Sequence, residues 1–135
     1  MPTRYPNILI VEDEATFREV IARNLKARGH QIREAETAAA ALSQLAQEQP
    51  DLLLLDINLP DRSGWDVLRE LRTRGMDVPT IVVSAVRVSP NRLAEFRPLA
   101  YLPKPFPLEA LLRLVGGSQS PGEDGAGASQ SEMED

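Results

Sequence analysis

Asp51-Leu-Leu-Leu-Leu-Asp56-Ile-Asn58-Leu-Pro60, followed by Asp61-Arg-Ser-Gly64, joins the most apolar run of the chain to a polar turn. Leu52 to Leu55 have no polar face, as expected of a strand covered on both sides by other elements. The run predicts the central strand of a sheet, with Asp56 at its carboxyl end. Upstream, Asn7-Ile-Leu-Ile-Val11 is a second buried strand. Between the two the period changes. Phe17, Val20, Ile21 and Leu25 fall on one helical face that Gly29 closes. His30 to Ala35 alternates weakly and is expected at a sheet edge. Thr37 caps a second helix with Ala38, Ala41, Leu42 and Leu45 on its inner face, ending before Pro50.

Downstream of Asp56 the alternation continues. Trp65 to Arg74 carries Val67, Leu68 and Leu71 at helical spacing, and Thr80-Ile-Val-Val83 before Ser84 reads as another buried strand. Ser89 and Pro90 start a fourth helix that Pro98 stops after about two turns, with Leu93 and Phe96 as its only large apolar anchors, so a short and loosely held helix is expected. Ala100-Tyr-Leu102 is a short fifth strand. Leu108, Leu111, Leu112 and Val115 give a last helix, ended by Gly116-Gly117. A βα unit repeated five times implies right-handed crossovers and a parallel sheet with helices on both faces, a doubly wound α/β fold.

The chain has 135 residues, no cysteine, one histidine (His30) and a formal net charge of −5. Without cysteine there is no disulfide, thiolate chemistry or cysteine-held zinc, and a lone histidine cannot build a histidine cage. No apolar run reaches the ~18 residues of a membrane span, and the first residues lack the apolar core of a signal peptide. A cytoplasmic location with no membrane partner is expected. The charge is unevenly spread. Within residues 1–116 the 15 Lys and Arg are matched by 15 Asp and Glu, so the whole net charge lies in residues 117–135. That stretch of Gly, Ser, Gln, Pro and acids has too little apolar surface to offset the entropy of ordering it. The expected organisation is a domain over residues 1–117 and a disordered acidic tail over 118–135. Neither part has the basic stripe needed to bind nucleic acid.

In an open parallel sheet, ligands bind outside the carboxyl ends of the strands where strand order reverses. The chemically capable residues occupy those ends: Glu12-Asp13-Glu14 after the first strand, Asp56 on the third, Ser84 on the fourth and Lys104 after the fifth. Acids converging on one cleft repel one another and need a cation or a proton to coexist. An all-oxygen set suits Mg²⁺, which binds through one or two carboxylates, waters and a phosphate. With a hydroxyl and an ammonium facing the same cleft, the set matches phosphoryl transfer to a carboxylate. Asp56, on the most buried strand, is the expected attacking group. Only Lys26 and Lys104 are lysines among the 15 cations, so an arginine-using chain keeps a compact point charge at Lys104.

These motifs resemble those of response-regulator receiver domains over residues 7 to about 116. The resemblance is carried by Ile10-Val-Glu-Asp-Glu14, Leu53-Leu-Leu-Asp-Ile-Asn-Leu-Pro60 with Gly64, Val83-Ser-Ala85 and Tyr101-Leu-Pro-Lys-Pro-Phe106, in that order. It implies a flavodoxin-like (βα)5 fold with strand order 2-1-3-4-5. It also implies that Asp56 is phosphorylated by a histidine kinase or histidine phosphotransfer protein, and that an output protein reads the result. Mg²⁺ would be held by Asp13 and Asp56 directly, by Glu12 through water and by the Asn58 carbonyl. Ser84, the Ala85 N–H and Lys104 would contact the phosphoryl group. Tyr101 would turn inward with Ser84 as a switch, and the Lys104-Pro105 bond would be cis. Such a domain is a signalling unit and not an enzyme, beyond assisting its own phosphorylation and dephosphorylation.

The sequence departs from the family where Arg97-Pro-Leu-Ala100 replaces the usual Gly-Ala-Asp-Asp, and the interval from Ser84 to Tyr101 is about two residues short. Both changes fall on the surface around helix 4 and strand 5, so a receiver-fold binding module working without phosphate is the competing expectation. A phosphohydrolase with an aspartate nucleophile would need a second acid where Asn58 stands. Taken singly, several of these residues have plainer roles: the acids after strand 1 suit a helix start, Asp61 and Asp66 suit solvent or capping, His30 suits a structural contact, and Phe17 and Trp65 suit helix packing.

Overall fold

The computed structural model describes residues 3–116. The expected acidic tail, residues 118–135, lies outside the described residues. In chain order the elements are β1 (Asn7–Val11), α1 (Ala15–Ala27), β2 (Gln31–Ala35), α2 (Ala38–Gln47), β3 (Leu52–Asp56), α3 (Gly64–Thr73), β4 (Thr80–Ser84), α4 (Pro90–Phe96), β5 (Ala100–Pro103) and α5 (Leu108–Gly116). The five strands form one parallel sheet in the order β2-β1-β3-β4-β5. The Leu52–Leu55 run is central, as expected: β3 pairs Leu53 with Leu9 of β1 on one side and with Thr80 of β4 on the other.

Alternate strand residues feed two cores, and this explains why β1, β3 and β4 are apolar throughout. Leu9, Val11, Leu53, Leu55 and Val82 pack with Ala41, Leu42 and Leu45 of α2 and Trp65, Val67 and Leu71 of α3. Ile8, Ile10, Leu52, Leu54, Ile81 and Val83 pack with Ile21 and Leu25 of α1 and Leu111, Leu112 and Val115 of α5. Each such fully buried side chain contributes about 1.5–3 kcal/mol, so the middle of the sheet is the rigid part of the molecule. β2 has a single neighbour and is only partly buried, as its weaker alternation predicts.

Helix ends follow the sequence signals. Thr37 Oγ1 accepts from the Ala40 N–H, and Ser63 Oγ from the Trp65 N–H. At the end of α1, Gly29 takes φ +97°, and the N–H groups of Gly29 and His30 return to the carbonyls of Lys26 and Leu25. β2 starts one residue later than expected, because the His30 N–H closes α1 and Gln31 is the first residue paired with β1; the buried His30 ring Nδ1 lies 2.7 Å from the Tyr5 carbonyl oxygen. β5 runs one residue further, to Pro103, paired with Ser84.

α4 is the short, loosely held helix expected: its span and its Ser89 cap agree with the sequence, and none of its residues is buried. One of its two expected anchors needs correction. Phe96 packs against the α2–α3 core, whereas Leu93 is not part of it; Val88, ahead of the helix, supplies the second contact.

Candidate functional site: an acidic cleft at the strand ends

The connection after β1 leads to β2 on one side and the connection after β3 leads to β4 on the other, so a crevice opens between the carboxyl ends of β1 and β3. Asp56 ends β3 at 3% exposure and Glu12 follows β1, also at 3%. Glu12 extends the sheet hydrogen bonding, its N–H donating to the Ala35 carbonyl at 3.0 Å, which fixes where its side chain leaves the backbone. Asp13, next along, is exposed. Carboxylate oxygens of Glu12, Asp13 and Asp56 all lie within 4.8 Å of one another.

Lys104 closes the cluster from the far side. Its Nζ donates to Glu12 Oε1 at 2.9 Å and to Asp56 Oδ2 at 3.2 Å, contacts that span 92 and 48 residues of sequence. Burial pushes the Glu12 carboxyl above its ordinary range, with the Lys104 hydrogen bond acting against that rise. Burial alone would lower the Lys104 ammonium, but the Glu12 hydrogen bond and the charges of Asp56 and Glu12 outweigh it and hold it above its ordinary range. The Lys104–Pro105 peptide is cis. Phe17, read from sequence as a helix contact, lies 4.9 Å from Nζ by its ring centroid and meets Phe106 edge to face at 5.6 Å. The ammonium thus has carboxylates on two sides and an aromatic face on a third.

The β3–α3 turn ties the remaining polar groups to Asp56. The Asn58 N–H donates to Asp56 Oδ1 at 2.9 Å, orienting the carboxylate. Asn58 Oδ1 accepts from Ser84 Oγ at 2.9 Å, and the same hydroxyl lies 2.8 Å from the Val86 carbonyl oxygen. The turn is closed by a bridge between Asn58 and Ser63 and by the Gly64 N–H donating to the Ile57 carbonyl at 2.8 Å. Glycine is required there: a Cβ on Gly64 would sit 2.7 Å from the Asp56 carbonyl oxygen and 2.8 Å from Ile57 Cα.

The structure therefore brings Glu12, Asp13, Asp56, Asn58, Ser84 and Lys104 to one cleft. Ala85 is exposed beside Ser84. Tyr101 stands apart: it pairs with Val82 in the sheet, and its half-buried ring packs on the α2–α3 core that also receives Phe96. One further residue escapes a reading of sequence. Arg18 donates from Nη1 to the Glu12 carbonyl at 2.8 Å and from Nε to Glu34 at 2.9 Å; one arginine on a helix carries no signal of that reach. Asp61, read from sequence as solvated or capping, accepts from the first N–H groups of α2, a helix that precedes it in the chain.

The donor set fits a divalent cation. Three carboxylates face one ammonium, leaving an excess of two negative charges in a cleft where Glu12 and Asp56 are buried. All candidate ligands are oxygens, and Asp13 opens to solvent, so a cation there could keep several waters.

Comparison with known proteins points the same way. The family model for the response regulator receiver domain matches residues 8–116. The response regulator MprA of Mycolicibacterium vanbaalenii is 37% identical over 133 residues, covering 96% of this chain and 56% of that protein. MprA of Mycobacterium avium is 39% identical over 107 residues, covering 78% of this chain and 47% of that protein. The chain thus spans about half the length of these curated relatives. Among solved structures, the non-phosphorylated HemR receiver domain of Leptospira biflexa superposes with a TM-score of 0.75 at 28% identity, over 84% of this chain and 97% of that one. The Thermotoga maritima response regulator TrrA, solved in complex with Mg²⁺-BeF, gives 0.69 at 31% identity, over 78% and 92%.

Proposed function

The chain belongs to the response regulator receiver domain family, the signalling domains of two-component systems, and on that premise we propose that Asp56 is its phosphoacceptor. The observation that carries this reading is the bridge from Lys104 Nζ to Asp56 and Glu12. An ammonium already bonded to the acceptor carboxylate stands where an incoming phosphoryl oxygen needs a positive charge. The donor would be a histidine kinase or a histidine phosphotransfer protein. An Asp56 carboxylate oxygen attacks phosphorus, the P–N bond of the phosphohistidine breaks, and its electron pair stays on the imidazole, which takes a proton from solvent. Mg²⁺ would be held by Asp13, Asp56 and the Asn58 carbonyl, with Glu12 contributing through water; bound there, it supplies charge neutralisation at the phosphoryl oxygens.

The chain's own residues do the rest. Lys104 and the Ser84 hydroxyl contact the phosphoryl group, and the Ala85 N–H adds a backbone donor. For Ser84 to reach the phosphate it must leave Asn58 Oδ1 or the Val86 carbonyl, and this movement is the trigger. Tyr101, on the strand beside Ser84, would follow it inward. Charge-assisted contacts of about 1.5–3 kcal/mol each can shift a two-state equilibrium substantially toward the form an output protein recognises. We take residues 1–117 as the receiver unit and its location as cytoplasmic.

The test is labelling with a small-molecule phosphodonor in Mg²⁺, followed by intact mass. Wild-type protein gains one phosphoryl group and Asp56→Asn gains none; labelling of Asp56→Asn rejects the assignment. Beryllofluoride with Mg²⁺, followed by NMR, separates a switch from a phosphate-independent module. Shifts that reach Tyr101 and α4 support the switch, and shifts confined to the acidic cleft support the module.

A further inference from the structure

Asn58 is the hub of the cleft, since its N–H holds Asp56 and its side chain holds Ser84. Its position depends on the β3–α3 turn. The base of that turn is fixed by the Asn58–Ser63 bridge and by Gly64. Its tip is fixed elsewhere. Asp61 reaches across to a different helix, where Oδ1 accepts from the Ala38 N–H at 2.9 Å and Oδ2 from the Ala39 N–H at 3.0 Å. α2 has its own cap in Thr37, which takes the Ala40 N–H. Asp61 therefore does more than finish a helix. Both of its oxygens are committed to an element anchored in the core by Ala38, Ala41, Leu42 and Leu45. These two N–H bonds also hold its carboxyl below its ordinary range.

We propose that Asp61 is a positioning residue for the cation site: by clasping the amino end of α2 it fixes the turn that presents the Asn58 carbonyl and N–H to the cleft. The inference rests on the reading that the Asn58 carbonyl and Asp56 serve a divalent cation. A free turn tip would let Asn58 sample orientations in which its carbonyl points away, and each such orientation lowers apparent affinity by its population. Mutations of residues that hold metal ligands from behind typically weaken binding by about 10–100-fold; for a clasp acting through the backbone the lower figure applies.

The experiment compares Asp61→Ala, Asp61→Asn and Thr37→Ala in the full chain. Thr37→Ala is the control for helix capping, since it removes an α2 cap without touching the turn. Mg²⁺ dissociation constants are measured by titration, and amide hydrogen exchange is measured in metal-free protein. Asp61→Ala is expected to raise the Mg²⁺ constant about tenfold and to speed exchange at Ala38, Ala39 and Asn58. Asp61→Asn, which keeps one acceptor oxygen, should fall between it and the wild type. Thr37→Ala should speed exchange at Ala40 and leave Mg²⁺ binding unchanged. An unchanged Mg²⁺ constant in Asp61→Ala, or an equal loss in Thr37→Ala, overturns the inference while leaving the cation site standing. Failure of wild-type protein to bind Mg²⁺ overturns both.

Discussion

Replacing Lys104 with methionine tests the electrostatic logic of the cleft at one atom. Methionine keeps most of the aliphatic stem and removes the ammonium, with its contacts to Glu12, Asp56 and the Phe17 ring. In the parent chain Nζ sits 2.9 Å from Glu12 and 3.2 Å from Asp56, both buried. At an effective dielectric constant of ~20 each attraction is worth about 5 kcal/mol before desolvation. Removing one partner of a buried pair costs about 3–5 kcal/mol, because the remaining charge is left uncompensated. The Lys104 side chain keeps 21% exposure and Glu12 can escape by taking a proton, so a loss of about 3 kcal/mol at neutral pH is expected. With a urea slope of about 1.5 kcal/mol per molar, the unfolding midpoint falls by about 2 M.

The pH dependence has a definite sign. Burial raises the Glu12 carboxyl above its ordinary 4.5, so the folded state keeps that proton to higher pH and this contribution to stability falls as pH rises through the raised value. Lys104 opposes the rise by hydrogen bond and by charge, so Lys104→Met lifts Glu12 further. The deficit of the variant therefore grows as pH rises through the raised Glu12 range, and it is compared at about pH 5 and about pH 8. The variant's acids lack the competing ammonium, so it is expected to bind Mg²⁺ more tightly than the parent and to gain more stability at the same Mg²⁺ concentration, which narrows the deficit. Urea unfolding at the two pH values, in EDTA and in Mg²⁺, reads all of this. A deficit that is the same at both pH values and indifferent to Mg²⁺ refutes the claim that the amine compensates the acids.

Gly64→Ala places a methyl group 2.7 Å from the Asp56 carbonyl oxygen, a backbone atom with nowhere to go. It should cost about 1–3 kcal/mol in urea unfolding and weaken beryllofluoride binding by displacing Asp56. Ser84→Ala removes the donor to Asn58 Oδ1. It should change stability by no more than about 1.5 kcal/mol while slowing phosphorylation by a small-molecule donor, measured as the rate of labelling.

What could be read from sequence and what could not divide along a physical line. Leu52 to Leu55 announce a central strand because burial on both faces leaves no position for a polar residue, a constraint visible in composition alone. The acids and Lys104 are legible for the related reason that a parallel sheet sends its strand ends to one side. Phe17, Arg18 and Asp61 were not legible in those roles, since each acts through a direction in space: a ring turned toward an amine, a guanidinium reaching back to the Glu12 carbonyl, a carboxylate crossing to α2. Leu93 misled for a similar reason. It is spaced three residues from Phe96 and so shares its side of a helix, but α4 has seven residues and touches the core only near its end.

That shallow seat bears on the proposed switch. α4 is attached by the ring of Phe96, stacked 5.2 Å from Trp65 and flanked by the guanidiniums of Arg72 and Arg69 at 4.9 and 5.5 Å. Arg72 also donates to the Glu95 carbonyl at 2.7 Å, and the helix ends with Arg97 in a left-handed turn at φ 48°. An aromatic pair adds about 0.5–1.5 kcal/mol beyond its buried area, and an exposed cation over a ring about 0.5–1 kcal/mol. The latch is therefore worth a few kilocalories. Taking a population from 1:99 to 99:1 requires about 5.5 kcal/mol of differential binding. Two charge-assisted contacts from Ser84 and Lys104, at about 1.5–3 kcal/mol each, are of that order. A fourth helix rooted in the core by several leucines would demand more than those contacts supply. The unusual segment before β5, which from sequence argues against a functioning output surface, is in energetic terms compatible with one, because α4 beside it is held only by this shallow seat.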